Sequence, residues 1–108
     1  MKFIGLSNCD TCKKARTAIA AAGLPIEITD IRKDGLDQAL ISSILDAHGD
    51  SAINKSSTTW RGLSDDEKEK PAAELLAAYP TLLKRPAILK DGMWHLGWKP
   101  AQQQAVLD

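Results

Sequence analysis

The strongest constraint on the fold of this chain is a succession of three short segments near its start. Residues 2–6 alternate apolar with small or polar side chains, which predicts a strand. Residues 11–22 favour a helix, which Gly23 and Pro25 end. Its apolar face is predicted to hold Ala15, Ala18, Ile19 and Ala22. Residues 26–31 alternate with period two again, so the order predicts a βαβ unit with parallel strands.

The remaining residues divide into a helical part and a hairpin part. The predicted elements are helices at 36–48, 64–70 and 71–79, a turn at 81–84, strands at 86–90 and 93–96, and a helix at 100–107. Ser64 with Glu67 forms a capping box, and Asp91–Gly92 is typical of a tight hairpin turn. We therefore interpret residues 1–108 as one domain with a helical insertion at about 36–84.

The two cysteines, Cys9 and Cys12, lie at the start of the first predicted helix. A thiol at a helix N-terminus faces unpaired backbone N–H groups and the positive end of the helix dipole, which favour the thiolate. Lys13 and Arg16 add positive potential and are candidates for binding an anion. The alternative to a reactive pair is that both thiols are packed in the core and unreactive. The placement after a strand favours a reactive pair with Cys9 as nucleophile and Cys12 as a resolving thiol.

A metal site is the other chemical alternative for the cysteines, with His48 and His95 as further ligands. Their spacing matches no zinc finger or ribbon, so we predict no metal. The α/β order, with the cysteine pair at the mouth of the first helix, is that of a thioredoxin-like fold with a mixed four-stranded sheet.

Charge and hydropathy exclude several partners. Fourteen basic residues balance fourteen acidic ones, whereas binding to nucleic acid through a basic face needs a positive excess. No apolar run approaches the roughly 18 residues of a membrane span, and the first residues do not have the pattern of a signal peptide. We expect a cytoplasmic monomer that binds neither nucleic acid nor membrane.

Four segments in order resemble the ArsC-like arsenate reductase family, a thioredoxin-superfamily branch that includes the Spx regulators and the YffB-type reductases. They are residues 8–16, 30–36, 58–63 and 84–86. The similarity spans residues 2 to about 99 and is greatest to the YffB type, whose Thr-Thr-Trp-Arg motif matches the residues ending at Arg61.

The resemblance implies roles for individual residues. Cys9 falls on the nucleophile of the arsenate reductases, Arg85 on an oxyanion-binding arginine, and Pro86 on a cis-proline opposite the reactive turn. Arg61 is a second candidate for binding an oxyanion or a glutathione carboxylate through a guanidinium fork. The implied substrate is a small oxyanion or a thiol. No cofactor is expected to be resident, with glutathione as co-substrate and glutathione, glutaredoxin or thioredoxin as electron donor.

Two function classes remain after this comparison of motifs. The first is a glutathione-linked thiol reductase. The second is an Spx-like redox-sensing transcriptional regulator that binds RNA polymerase, in which such a cysteine pair is a switch. Where arsenate reductases place two more arginines, this chain has Asn54 and residues 97–99, which contain no arginine. We therefore expect weak or absent arsenate turnover. The Spx regulators resemble this chain less in the Thr-Thr-Trp-Arg segment, so we favour the enzyme.

Overall fold

One mixed sheet of four strands organises the molecule in a computed structural model that describes residues 1–108. The strands are β1 (Lys2–Gly5), β2 (Glu27–Asp30), β3 (Ala87–Lys90) and β4 (Met93–Leu96). Their spatial order is β2-β1-β3-β4, with β1 parallel to β2 and antiparallel to β3, and β3 antiparallel to β4. The predicted α/β thioredoxin-like fold with a mixed four-stranded sheet is confirmed.

Seven α-helices accompany the sheet. They are α1 (Asp10–Ala21), α2 (Ile31–Asp34), α3 (Gln38–His48), α4 (Thr58–Arg61), α5 (Asp65–Lys68), α6 (Ala72–Ala78) and α7 (Pro100–Leu107). Two 3₁₀ turns lie at Gly49–Ala52 and Pro80–Leu82. None of these helices is long and apolar enough to cross a lipid bilayer.

The chain forms two compact units. The first combines Met1–Asp34 with Arg85–Asp108, and the second is Gly35–Lys84. In the first unit α1 packs on β1, β3 and α7. The buried residues of that cluster are Phe3, Cys12, Ala15, Ile19, Ile88 and Val106. The prediction that all 108 residues form one domain stays a prediction.

The second unit has its own buried residues, among them Ile41 and Ile44 of α3 and Leu75 and Leu76 of α6. α3 packs against α6. The hydroxyl of Tyr79 donates a hydrogen bond to the Glu67 carboxylate, which connects the end of α6 to α5. This bond lowers the pKa of Glu67 and raises the pKa of Tyr79.

Element boundaries differ from the prediction where local capping decides them. The second strand ends at Asp30 rather than Ile31, because Ile31 is the first residue of α2. α3 begins at Gln38 and not at residue 36, since the side chain of Asp37 accepts a hydrogen bond from the Leu40 N–H at 2.8 Å. The short helices α2 and α4 and the 3₁₀ turn at Gly49–Ala52 were not predicted.

Candidate functional site

Cys9 occupies the junction between the turn after β1 and the start of α1. Its backbone is extended (φ −92°, ψ 119°), and its carbonyl accepts the Lys13 N–H at 3.0 Å, which makes it the N-cap residue. Its own N–H donates to the Leu6 carbonyl at 3.3 Å. The Cys9 side chain makes no capping hydrogen bond and is half-buried. The thiol therefore lies at the helix N-terminus, where both backbone N–H groups and solvent can reach it.

Cys12 lies one helical turn further on and is fully buried (0% exposed) in the core of the first unit. Gly5, at the end of β1, makes the space for it. A Cβ placed on Gly5 would lie 2.8 Å from the Cys12 Sγ and 3.1 Å from the ring of Phe3. Contacts this short do not occur between real side chains without movement. The strand therefore needs glycine here so that the Cys12 thiol can pack against its backbone.

Burial raises the pKa of the Cys12 thiol to about 11, and a hydrogen bond with the Cys9 side chain and the Cys9 charge act in the same direction. A backbone hydrogen bond from Leu6 and the positive charge of Arg85 oppose this rise. Cys12 is therefore a protonated thiol near neutral pH. The same interactions show that Cys9, Cys12 and Arg85 share one electrostatic environment.

Arg85 and Pro86 precede β3 in the same compact unit as the cysteines. The Arg85–Pro86 peptide bond is cis, as the resemblance implies. Pro86 is buried and its carbonyl accepts the Gly97 N–H at 2.9 Å. Arg85 itself is half-buried.

Lys13 and Arg16 extend the basic surroundings along α1. Lys13 is exposed and Arg16 is half-buried. Residues three and four apart share one side of a helix. Cys9, Cys12, Lys13 and Arg16 therefore lie on one side of α1, although no hydrogen bond joins the two basic residues to the thiols.

Asp30 was missed at the sequence level and holds the turn that carries Cys9. It ends β2, where it pairs with Gly5 of β1. Its carboxylate accepts the Arg32 N–H at 2.8 Å and the Lys33 N–H at 3.2 Å. Desolvation acts to raise the pKa of Asp30, but hydrogen bonds from Lys33, from Arg32 and from the backbone and hydroxyl of Ser7 together lower it. Asp30 thus connects the start of α2 to the turn between Leu6 and Cys9.

The signal for Asp30 was present in the sequence. An aspartate whose carboxylate accepts the N–H groups two and three residues later, at the start of a helix, is typical of an N-terminal cap. The alternation of residues 26–31 instead favoured a strand running through it.

Arg61 lies in the second compact unit, at the end of α4, and is exposed. Its Nη2 donates a hydrogen bond to the Ser56 carbonyl at 3.0 Å. Ser57 caps α4 by accepting the Trp60 N–H at 3.1 Å and donates to the Asn54 carbonyl at 2.8 Å. The loop before α4 therefore orients Arg61, while the anion-binding role of this residue stays a prediction.

The chemical capacity of the site lies in two thiols of different character. One is accessible at a helix N-terminus, and the other is buried and protonated. Both are free in this structure. The structure contains no group of three or more histidine, cysteine or acidic side chains that could hold a metal ion. The arrangement is suited to attack by Cys9 on an electrophilic atom and to a later, slower reaction of Cys12.

Comparison with known proteins gives matches over nearly the whole chain. The sequence profile of the ArsC family matches residues 4–106. An uncharacterised protein of Haemophilus influenzae is 40% identical over 107 residues, which cover 94% of each chain. The solved structure of a YFFB protein superposes with a TM-score of 0.88 at 30% identity, covering 99% of this chain and 98% of that one. The global transcriptional regulator Spx of Lactococcus lactis is 26% identical over 106 residues, 93% of this chain and 80% of the regulator.

Proposed function

The chain belongs to the ArsC family, and we propose that it is a thiol-dependent oxidoreductase in which Cys9 is the nucleophile and glutathione the co-substrate. Glutaredoxin or thioredoxin is the alternative electron donor. The substrate class is a small oxyanion or a disulfide of a small thiol. No resident cofactor is required, because the thiols themselves carry the electrons.

The observation that carries this proposal is the difference between Cys9 and Cys12. Cys9 is partly exposed at the N-terminus of α1, whereas Cys12 is fully buried and its pKa is raised to about 11. The reactive species is the thiolate, and a thiol with a pKa of about 11 is roughly one part in ten thousand ionised at pH 7. The first attack is therefore assigned to Cys9.

The proposed cycle begins with a mixed disulfide of glutathione and the substrate thiol. The Cys9 thiolate attacks the glutathione sulfur, forms a Cys9–glutathione disulfide and releases the substrate thiolate. A second glutathione thiolate then attacks this adduct, which restores the Cys9 thiolate and releases oxidised glutathione. The net reaction consumes one mixed disulfide and one free glutathione and yields oxidised glutathione and the substrate thiol, so the free glutathione is oxidised and the substrate sulfur is reduced. Attack by Cys12 instead would form a Cys9–Cys12 disulfide and release glutathione.

Binding of glutathione is assigned to the basic residues around the thiols. Arg85 shares the electrostatic environment of Cys12 and can hold a carboxylate or oxyanion with two parallel N–H donors. Lys13 and Arg16 supply positive potential from α1, and Arg61 is the further candidate from the resemblance. With fewer arginines than an arsenate reductase, charge that develops on arsenate in the transition state would be poorly compensated.

Transcriptional regulation is the second candidate function, favoured by the similarity to the Spx regulator. In that case a Cys9–Cys12 disulfide would act as a switch for binding RNA polymerase. A pull-down with purified RNA polymerase, using the reduced and the oxidised chain, distinguishes the two. The enzyme proposal expects no binding in either state.

Intact mass spectrometry after exposure to oxidised glutathione at pH 7 tests the enzyme proposal. Cys12→Ser should accumulate one glutathione adduct, whereas Cys9→Ser should react at least about tenfold more slowly, since its remaining thiol is buried and protonated. The native chain should proceed to an intramolecular disulfide. Equal adduct formation in Cys9→Ser and Cys12→Ser would overturn Cys9 as nucleophile. A stable adduct on the native chain would instead exclude Cys12 as the resolving thiol.

The binding part of the proposal is tested by calorimetric titration of the same chain with reduced glutathione. Arg85→Ala should weaken binding roughly ten- to a hundredfold, because it removes one charge-assisted contact. Arg32→Ala is the matched control, since Arg32 is exposed on α2 of the same unit. Equal weakening in both variants would mean that net charge, rather than an Arg85 contact, governs binding.

A further inference from the structure

A cavity of about 190 Å³ lies within the second compact unit, apart from any residue assigned above to the reaction. Its inner side contains Ile53, Leu75 and the half-buried indole of Trp60. Five of the ten lining residues are charged, and Ile53 and Leu75 are almost fully buried, so the indole is the main apolar surface that a ligand can reach. The lining therefore suits a small charged ligand with an apolar part that packs on the indole.

Two lysine ammonium groups lie over the Trp60 ring. The Nζ of Lys55 is 5.5 Å from the ring centroid, and the Nζ of Lys68 is 5.7 Å from it. Both distances are within the range of a cation–π interaction. The ring attracts the ammonium group but does not form a conventional hydrogen bond with any of its three N–H donors. No hydrogen bond or ion pair joins either ammonium to a protein group. Two like charges with unused donors are thus held at the mouth of one cavity.

The other charges at the opening are compensated more fully. Lys70 lies close enough to Glu67 to lower the pKa of that carboxyl. Asp50 and Glu69 also line the cavity, so once Glu67 offsets Lys70 the two ammonium groups at Trp60 share the lining with two carboxylates. An oxyanion at the Trp60 ring would accept hydrogen bonds from the free donors of Lys55 and Lys68.

We propose that this cavity, which we call the Trp60 pocket, binds a small organic oxyanion, a phosphate or carboxylate carried on a short apolar body. The anionic group contacts Lys55 and Lys68, and the apolar body lies on the indole of Trp60. The proposal is independent of the cysteine chemistry.

Nuclear magnetic resonance of the full ¹⁵N-labelled chain tests the proposal through the indole N–H signal of Trp60. The chain has three tryptophans, and Trp60→Phe identifies the signal. The probes are phenyl phosphate, inorganic phosphate and benzyl alcohol. We expect a saturable shift with phenyl phosphate, a weaker affinity for inorganic phosphate, and no shift with benzyl alcohol.

Three charge variants complete the experiment. Lys55→Gln and Lys68→Gln should each weaken phenyl phosphate binding by about tenfold or more, while Lys33→Gln, an exposed lysine of the other compact unit, should leave it unchanged. A shift that does not saturate, or equal weakening in all three variants, would overturn the site. Equal affinity for inorganic and phenyl phosphate would contradict the proposal that the pocket binds the apolar body of the ligand.

Discussion

The turn that carries the cysteines and the loop that carries Arg61 hold their side chains in place by different means. In residues 5–12 the supports are buried, with Gly5 and Cys12 packed against each other in the core. In residues 54–61 the supports are hydrogen bonds: the half-buried Ser57 hydroxyl donates to the Asn54 carbonyl and accepts the Trp60 N–H, and the exposed Arg61 donates to the Ser56 carbonyl. The first region therefore depends on volume, and the second depends on hydrogen-bond geometry.

This difference determines how each region tolerates change. A packed core transmits a misfit of a few tenths of an ångström, because there is no space to absorb it. A surface loop can replace a lost hydrogen bond with one to water. Substitutions around Cys12 should therefore cost several times more stability than substitutions around Arg61.

Gly5→Ala is the sharpest test of the buried region. The added methyl group would lie 2.8 Å from the Cys12 Sγ, so strand β1 or helix α1 must shift. We expect a loss of about 3 kcal/mol in the free energy of unfolding, at the upper end for overpacked cores. Urea denaturation measures this loss.

The double variant Gly5→Ala with Cys12→Ala identifies the cause. Removing the Cys12 sulfur should recover a large part of the loss, so that the two substitutions are not additive. Additive losses would mean that the strain arises elsewhere and that Gly5 does not serve to accommodate Cys12.

The parts of the fold that depend on neighbouring residues could be predicted from the sequence. The hairpin was predictable, because Asp91–Gly92 needs two positive φ angles, and the structure gives 52° and 78°. The start of α7 was predictable from Pro100, which lies at its first turn. In both cases neighbouring residues decide the outcome.

Helix α1 illustrates a prediction that was partly wrong. Of the predicted apolar face, Ala15 and Ile19 are buried, but Ala22 is exposed. The buried face is rotated towards Cys12, and the i, i+3, i+7 spacing of Cys12, Ala15 and Ile19 carried that signal. Because Cys12 was expected to be a reactive thiol, its position on the buried face of α1 was not predicted.

The candidate site was predictable only in part for a similar reason. A strand followed by a helix is enough to place Cys9 at a helix N-terminus. The burial of Cys12 and the contact of Ser7 with Asp30 depend on the pairing of β1 with β2. The βαβ order predicts that these strands pair, but the register that places Gly5 beside Asp30 depends on tertiary packing, which short-range patterns do not specify.

Alkaline pH tests the burial of Cys12 independently of any volume change. Its thiol ionises near pH 11 in the folded chain against an ordinary value of 9.0, so the unfolded chain loses this proton first. The contribution of this thiol to stability is constant well below pH 9 and is lost as pH rises towards 11, by about 2 kcal/mol relative to a chain without it. Under reducing conditions, Cys12→Ala should show a shallower decline over this range than the native chain, measured by urea denaturation. Parallel declines would indicate that the thiol is not shielded from water.

Ser57→Ala tests the surface region and has the smallest expected effect. It removes the cap on the Trp60 N–H and the bond to the Asn54 carbonyl, which should lower the free energy of unfolding by about 1 kcal/mol. Ser56→Ala is the matched control, because no hydrogen bond of its hydroxyl is found in the structure, and it should change stability by less than about 0.5 kcal/mol. The same denaturation measurement serves both variants and Gly5→Ala. A loss in Ser57→Ala as large as in Gly5→Ala would contradict the contrast between the two regions, because the surface loop would then be as intolerant as the core.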